Sequence, residues 1–417
     1  MALLTQAPRG TQDILPNASF KWQHIEKTAL DVAKRFGFSE IRVPTFEHTE
    51  LFLRSVGDTT DVVQKEMYTF LDKGERSITL RPEGTAGVAR AVVQNGLLGD
   101  ALPLKVCYLA NCFRYEKPQA GRLREFHQFG IEMFGAEKPS ADAEVISLAH
   151  TFLTELGIKN LSLEINSIGC PECRPKYHKA LREYFEKHKD KLCKTCLERL
   201  EKNPLRILDC KNDECAKLCQ DAPKGIEHLC DDCHTHFEGV KSLLSAIGIP
   251  FIVNPFIVRG LDYYTKTVFE FVSTEIGAKA TVCGGGRYDG LIGEIGGKDT
   301  CGIGFAVGLE RLLLVLESAG VEIPSSSKPD IYIANIGDSA LSCAFTLTQN
   351  LRAKGKNAIC DVMGRSLNAQ MKYANKIGAK YSAVIGDDEV ATSTLSLKNM
   401  QTGETVKISF DEILDNI

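Results

Sequence analysis

Two strand-like runs, Leu104–Tyr115 and Phe126–Phe134, flank a polar, glycine-containing connection from Glu116 to Glu125. Runs of this length, joined by one polar loop, pair most simply as an antiparallel hairpin with a long connection. That hairpin commits the N-terminal part of the chain to an antiparallel sheet. Around it, residues 1–168 alternate helical and extended patterns. Ser19–Phe36 reads as an amphipathic helix, with Phe20, Ile25, Leu30, Ala33 and Phe36 roughly along one side and Gly37 as its C-terminal cap. Glu40–Pro44 is a short extended run, and Ala141–Leu156 is a helix.

At 417 residues the chain is too long for one ordinary core, so two or three domains are expected. Apolar residues make up 43% and charged residues 25%, as in ordinary globular proteins. No apolar run approaches membrane-spanning length, and Met1–Pro16 has no basic segment followed by an apolar one, so a cytoplasmic chain with no membrane association is expected. The formal net charge of −4 means that an RNA partner would have to meet local basic patches.

Residues from about 170 to 245 change character. They are rich in cysteine, lysine and glutamate, with helical stretches at Pro175–Lys187 and His234–Ala246, and read as an inserted module. Strand patterns return at Phe251–Val258, Val268–Val272 and Ala280–Cys283. Gly302–Gly320 opens with glycines and becomes an amphipathic helix. Pro324–Pro329 is a linker by composition. Beyond it come strand Ile331–Ile336, helix Ala340–Lys354, strand Ala358–Asp361, helix Ser366–Ile377 and strand Ser382–Ile385. A hairpin and a short terminal helix follow. Such alternation implies a small parallel or mixed sheet covered by helices.

Chemistry concentrates in a few runs. Arg259-Gly-Leu-Asp-Tyr-Tyr264 sets a fixed cation beside two phenols and leads into an apolar strand-like stretch, Thr267–Phe271. A guanidinium buried beside two aromatic hydroxyls is costly unless it binds something, and an anion and a polar ring would satisfy it. Arg114, at the end of the first hairpin strand, would face a cleft with a planar donor suited to phosphate. Arg122 and Arg124 lie on the connection, where a polyphosphate or nucleic acid end could be clamped, and Phe126 offers a flat face for a base. A surface hairpin laced with salt bridges would look the same. In Arg81-Pro-Glu-Gly-Thr85, a carboxylate and a hydroxyl beside a turn can receive an ammonium group, although Pro-Glu-Gly is also a common turn with a solvated acid. Gly302-Ile-Gly-Phe-Ala-Val-Gly-Leu-Glu-Arg311 has glycines that let backbone approach a nucleotide, with Arg311 pointing back into the same cleft. Many packed helices carry such glycines. In Cys283-Gly-Gly-Gly-Arg-Tyr-Asp-Gly-Leu291, three glycines weaken a strand end by about 0.5–1 kcal/mol each relative to alanine, tolerable where a ligand needs room.

In this order along the chain, these runs resemble the motifs of histidyl-tRNA synthetases. The hairpin is similar to motif 2 of class II aminoacyl-tRNA synthetases, Gly302–Arg311 to motif 3, and Pro44 to the motif 1 proline. Arg259–Tyr264 and Cys283–Leu291 resemble the two histidine-specific signatures. Arg9-Gly10-Thr11 with Asp13 and Pro16 is also family-like, and such a turn can equally anchor the terminus. The resemblance covers about residue 8 to residue 311, and the tail from Lys328 resembles the family's anticodon-binding domain. It implies an α+β catalytic domain on an antiparallel sheet over residues 1–325, with the mainly helical Cys-rich insertion, and an α/β anticodon-binding domain over 326–417.

By the same resemblance, Arg114 and Arg259 are catalytic, holding the α-phosphate of ATP from two sides. Glu83, Gly84, Thr85, Gln128, Glu132, Tyr263, Tyr264 and Tyr288 would bind L-histidine. Glu132 meets the imidazole, and a tyrosine hydroxyl, that of Tyr264, meets its other nitrogen. Period two places 128, 130 and 132 on one strand face. Arg114, Glu116, Arg122, Phe126 and Arg311 would bind ATP, with Mg2+ on its outer phosphates. Gln119 and Arg124 would approach the acceptor end of tRNA(His). Arg352 to Lys380 holds seven basic residues and one acid, a patch suited to phosphate or simply a solvated helix face. The family is a homodimer with Gly37–Glu66 at the interface. A non-catalytic relative regulating histidine biosynthesis, which would lack substrate residues and tail, is disfavoured. So is a pure RNA-binding module, which would not require the cleft residues.

Nine of fifteen cysteines fall between Cys170 and Cys233. Cys170-x-x-Cys173 and Cys193-x-x-Cys196, 19 residues apart, fit a four-thiolate zinc site. Cys210, Cys215, Cys230 and Cys233 would form a second, leaving Cys219 over. A helical module of reduced cysteines is the competing reading.

Overall fold

The computed structural model describes residues 5–57, 60, 62–210, 212–257, 259–273, 280–325 and 328–417. Outside them lie Met1–Leu4, parts of the expected interface segment and linker, and Val258 at the end of the expected Phe251–Val258 strand. Among the described residues of that strand, Ile252–Val253 pairs. The chain divides into two compact units, Met1–Pro324 and Ser325–Ile417.

The hairpin is the centre of the first unit. Strands Leu104–Phe113 and Glu125–Phe134 pair over ten consecutive positions, from Leu104 opposite Phe134 to Phe113 opposite Glu125. Gly302–Gly308 pairs antiparallel with the second of them, then come Ala280–Arg287, Thr265–Ser273 and Leu161–Ser167. Short parallel pairings, Ser39–Glu40 and Ile252–Val253, close the two edges of an eight-stranded sheet. Two expectations change here. Gly302–Gly308 is a full strand, and the helix starts only at Leu309. The three glycines Gly284–Gly286 lie inside the Ala280–Arg287 strand and are paired on both sides, rather than marking its end.

Strand alternation divides the sheet into two chemically different faces. On one, Phe129, Ile131, Met133, Ile303, Phe305 and Val307 pack into the main core. Helices Ser19–Arg35, Pro139–Glu155, Asp231–Ala246 and Leu309–Ser318 supply the facing residues, among them Ile25, Ile146, Phe152, Val240 and Leu312. On the other, Gln128, Gly130, Glu132, Gly304 and Ala306 point away from that core, beside a smaller cluster containing Tyr108, Tyr263, Tyr264 and Tyr288. The polar site sits on this second face.

Inside the glycine-rich run, Arg287 is wholly buried and paired with the buried carboxylate of Asp142, and it also donates to Asp289 at 3.2 Å and the Ala136 carbonyl at 2.9 Å. His236, on the helix that ends the insertion, meets Asp142 at 3.1 Å. This network joins sheet, helix and insertion, and it holds the Asp142 carboxyl below its ordinary range although burial opposes ionisation.

The second unit has a five-stranded sheet. Ala358–Cys360, Ile331–Asn335 and Tyr381–Ile385 are parallel, and Thr394–Asn399 and Thr405–Ser409 add an antiparallel hairpin. Ile331 and Ile333 enter one apolar cluster, Tyr332 and Ala334 another, so both sheet faces are covered, as a parallel sheet requires. Among the described residues no helix is long and apolar enough to cross a membrane.

Removing one partner of a buried ion pair strands the other. Arg287→Ala should therefore destabilise the first unit by about 3–5 kcal/mol, read as a lowered urea midpoint. Arg287→Met with Asp142→Leu should recover part of the loss. A midpoint unmoved by R287A would remove this network from the fold's supports.

Candidate active site

A cavity of about 510 Å³ opens on the polar face. Its wall includes Glu83, Thr85, Arg114, Arg122, Gln128, Glu132, Arg259, Tyr263, Tyr264, Tyr288 and Arg311, which come from six separate stretches of chain. Arg114 and Arg259, 145 positions apart by their numbers, thus share one cavity. Gly84, Glu116, Gln119, Arg124 and Phe126 are not part of the wall.

Glu132 is at the bottom, 1% exposed. Burial pushes its carboxyl up to about 8, and a hydrogen bond from Tyr288 offsets only part of that. Tyr288 donates to Oε2, while Oε1 has no hydrogen-bond partner among the described residues. Tyr288 therefore orients the carboxylate as well as walling the pocket. Gly304 lies opposite Glu132 in register, and a Cβ there would come within 2.0 Å of the carboxylate. One position pair along, Gly130 faces Tyr108, whose ring would collide with a Cβ at Gly130 or at Gly84. The glycines of this sheet make room mainly for the protein's own polar side chains, where close approach to a nucleotide was expected. Gly84 belongs to this group: it admits Tyr108 and does not line the cavity.

Glu83 is buried, contrary to a solvated turn. Its oxygens accept from the backbone amides of Thr85 and Ala86 at 2.7 and 2.8 Å, at the start of helix Thr85–Gln94. Burial raises its pKa against the pull of those amides. Arg81, two residues before it, is consumed structurally. It donates to the carbonyls of Asn111 and Val43 at 2.7 and 2.8 Å and fixes the Pro44 segment to the hairpin.

Arg259 pairs with Glu270, and Thr281 donates to the same carboxylate at 2.7 Å. The Thr281 carbonyl accepts from Arg311 at 3.0 Å, so one residue aligns both arginines. A Cβ at Gly284 would come within 2.4 Å of the Arg259 guanidinium. Arg114 donates through Nε to the Pro82 carbonyl at 2.8 Å, and its guanidinium lies 5.4 Å from the Phe126 ring. Phe126 thus supports Arg114 from outside the cavity. Glu116 and Arg122 pair at 3.5 Å across the connection, and Gln119 bridges Arg122 through backbone bonds. Arg124 is anchored instead: its amide donates to the Gly10 carbonyl at 2.7 Å and its guanidinium lies 3.8 Å from the Tyr115 ring. Gly10, at φ +88°, leaves no room for a Cβ against Arg124, which gives the Arg9-Gly10-Thr11 turn a docking role. Glu310 holds the His127 ring at 2.8 Å and accepts from its amide, pinning the Arg311 helix to the hairpin.

The wall also contains Glu164, Asn254, Glu270 and Thr281, which the motifs did not single out. Asn254 donates to Glu164 at 2.6 Å. The legible signal for both acids was a carboxylate inside an otherwise apolar strand pattern. Among orphaned buried atoms, Glu132 Oε1, the Tyr108 hydroxyl and Arg259 Nε all belong to this neighbourhood. A polar ligand would satisfy groups of this kind.

The cysteines group differently from the sequence expectation. Cys170 and Cys173 meet Cys230 and Cys233, and Cys193 and Cys196 meet Cys210 and Cys215; in each set the four sulfurs lie within 4.8 Å of one another. Sequence neighbours were the wrong guide because the insertion's first and last segments return to the same neck.

A family model described as histidyl-tRNA synthetase matches residues 10–312, and one described as an anticodon binding domain matches residues 330–417. A histidine–tRNA ligase of Acetivibrio thermocellus is 58% identical over 415 residues, 100% of each chain. Another, from Caldanaerobacter subterraneus subsp. tengcongensis, is 56% identical over 411 residues, 99% of each. The crystal structure of apo S. aureus histidyl-tRNA synthetase is similar at a TM-score of 0.85 and 40% identity, covering 99% of each chain. With its antiparallel catalytic sheet and separate C-terminal α/β unit, the chain belongs to the histidyl-tRNA synthetase family of class II aminoacyl-tRNA synthetases.

Proposed function

We propose that this protein is a histidine–tRNA ligase, which activates L-histidine with ATP to histidyl-adenylate and transfers histidine to the 3′ end of tRNA(His). The observation that carries this reading is the cavity itself. Three arginines, Arg114, Arg259 and Arg311, share it with a buried carboxylate whose Oε1 has no partner among the described residues. Arginines suit the phosphates of ATP, and Glu132 suits a ring N–H. The regulatory relative is disfavoured because Glu83, Arg114, Arg259, Arg311 and the C-terminal unit are all present.

In the first step the histidine carboxylate attacks the α-phosphorus and pyrophosphate leaves. Arg114 and Arg259 hold the α-phosphate and stabilise charge as it builds, and such preorganised donors carry most of the rate of group transfers. The Glu270 and Thr281 contacts keep Arg259 aimed. Magnesium, when bound with ATP, shields charge on the outer phosphates. Among the described residues no set of three carboxylates converges there, so its donors would be chiefly phosphate oxygens and water, as is usual for this ion with nucleotides. Glu83 and Thr85 receive the α-amino group, with Gln128 beside it. Glu132 accepts one imidazole N–H, and the phenols of Tyr263 and Tyr264 border the ring. Leaving these groups unpaired rejects an apolar amino acid of similar size by about 10⁴-fold.

For tRNA, the connection around Gln119 and Arg124 approaches the acceptor end. In the C-terminal unit, Arg365 pairs with Asp361 and Lys380 with Asp330, which removes part of the expected basic patch. Lys372 and Lys376 remain one turn apart on helix Leu367–Lys376, near the strongly exposed Val362 and Met363 of the preceding loop. This surface is the anticodon contact of the reading. The reading includes a homodimer with Gly37–Glu66 at its interface; exposed Phe46 and Leu53 in that segment, and exposed Phe70 and Leu71 on another strand of the three-stranded sheet that holds Phe46, support it. The work is cytoplasmic.

The central test is histidine-dependent exchange of pyrophosphate into ATP. Exchange with histidine alone is expected; none with histidine, or equal exchange with other amino acids, overturns the reading. Arg259→Met should lower exchange kcat by about 10²–10³-fold with little change in the histidine KM. Equal losses in kcat and binding would place Arg259 outside the transition state. Glu132→Gln should raise the histidine KM by about 10–100-fold, the range for a hydrogen bond to a charged group.

The pH dependence has a definite sign. Below about pH 8 Glu132 holds a proton that a neutral imidazole can take, forming a carboxylate–imidazolium pair without uptake from solvent. Above pH 8 the carboxylate is already ionised and that gain is lost. The groups facing Glu132 are Glu83, Tyr108, Tyr263, Tyr264 and Tyr288, and burial keeps the phenols protonated through this range. The histidine KM should be flat just below pH 8 and rise above it, and E132Q should abolish the rise. A rise that persists in E132Q would assign it to another group.

A further inference from the structure

We propose that the insertion carries two structural zinc ions, one held by Cys170, Cys173, Cys230 and Cys233 and the other by Cys193, Cys196, Cys210 and Cys215. Four ligands at the zinc–thiolate distance of about 2.3 Å, placed tetrahedrally, have sulfurs about 3.8 Å apart. The observed separations are 3.6 Å for Cys170 to Cys173, 3.9 Å for Cys170 to Cys230 and 3.8 Å for Cys193 to Cys210. None of the fifteen cysteines is in a disulfide. Each set combines buried and partly buried thiols, and all four sulfurs fall within 4.8 Å. That is too tight to surround a multi-iron cluster, whose iron atoms take separate thiolates, and it suits a single ion.

Backbone donors support the same ligands. The Cys230 amide donates to Cys173 Sγ at 3.1 Å, and the Cys193 amide to Cys215 Sγ at 3.2 Å. Such bonds stabilise thiolates over thiols and orient them, as outer contacts do around metal centres. The ligands also sit at helix starts: Cys173 opens Cys173–Glu186, while Cys193 and Cys230 immediately precede Lys194–Lys202 and Asp231–Ala246.

The module needs such staples. Its own core is small, built on Tyr177, Leu181, Phe185, Leu200 and Ile207 together with cysteines. A single core in a domain of this size rarely supplies more than about 3–5 kcal/mol, so cross-links add substantially to it. The first ion would close the neck, joining residues 60 positions apart where the insertion leaves and rejoins the catalytic unit. There Arg174 donates to the Tyr264 carbonyl, and the Lys266 amide donates to the Gly169 carbonyl at 2.9 Å. The neck is thus tied directly to the segment that places Tyr263 and Tyr264 in the cavity. The second ion would hold the distal helices, including Asp213–Gln220 with Cys215.

Metal analysis of the full chain, purified without chelators, tests this. Two zinc ions per chain are expected, and cobalt replacement should give the charge-transfer and d–d bands of a tetrahedral thiolate site. Paired substitutions test the ligand sets. Cys173→Ser with Cys230→Ser should remove one ion, because both serve the same site. Cys173→Ser with Cys196→Ser should remove both. The reverse pattern would overturn the assignment in favour of grouping by sequence neighbours. Should a variant fail to fold, alkylation of the wild-type chain before and after chelation gives the answer. The eight ligand thiols should be protected before chelation and become reactive after it. A folded, metal-free wild-type chain with all cluster thiols reactive would overturn the proposal, and so would iron in place of zinc.

Discussion

A carboxylate held inside a β-sheet is the constraint around which this molecule is arranged. Glu132 lies on a central strand, between Val106 and Gly304 in register, with the apolar side of the same strand locked into the main core. Slipping the register by one residue would send Glu132 into that core and Ile131 into the cavity. The pairing of strands is therefore fixed by burial on one face and chemistry on the other. The absent side chain of Gly304 gives the carboxylate its space, and Tyr288 fixes one of its oxygens. The environment that holds its proton to about pH 8 is the same apolar, phenol-lined burial that shapes the ring pocket.

The arginines obey a similar logic. A guanidinium keeps its charge in any pocket, so the protein must hold its direction. Arg259 is aimed by Glu270 and Thr281, Arg311 by the Thr281 carbonyl, and Arg114 by the Pro82 carbonyl and the Phe126 ring. Residues that look like ligand contacts in a linear motif divide into two groups. Some line the cavity. Others, such as Phe126 and Glu116, hold those that do.

Reading along the chain located the hairpin, the motif arginines and the C-terminal alternation of strands and helices. Period two correctly placed Gln128 and Glu132 on one face, because strand geometry is local. It did not reveal Tyr108, because Tyr108 matters only through the glycines opposite and beside it, Gly130 and Gly84. Nor did it find Glu270 or Thr281, whose importance comes from meeting Arg259 and Arg311 across the sheet. The triple glycine looked like a frayed strand end; in the fold its bare positions accommodate Arg259, Phe305 and Tyr264.

The sequence by itself determined which groups exist and their local periodicity: three arginines, an acid in a strand, a cysteine count and the spacing of each Cys-x-x-Cys turn. Only the tertiary structure decided which of these meet. Arg114 and Arg259 line one cavity because antiparallel neighbours bring distant segments together, and Cys173 reaches Cys230 because both ends of the insertion return to the same neck. Side-chain chemistry and short-range geometry are written into adjacent residues, whereas proximity across a sheet or a neck depends on how the whole chain closes on itself.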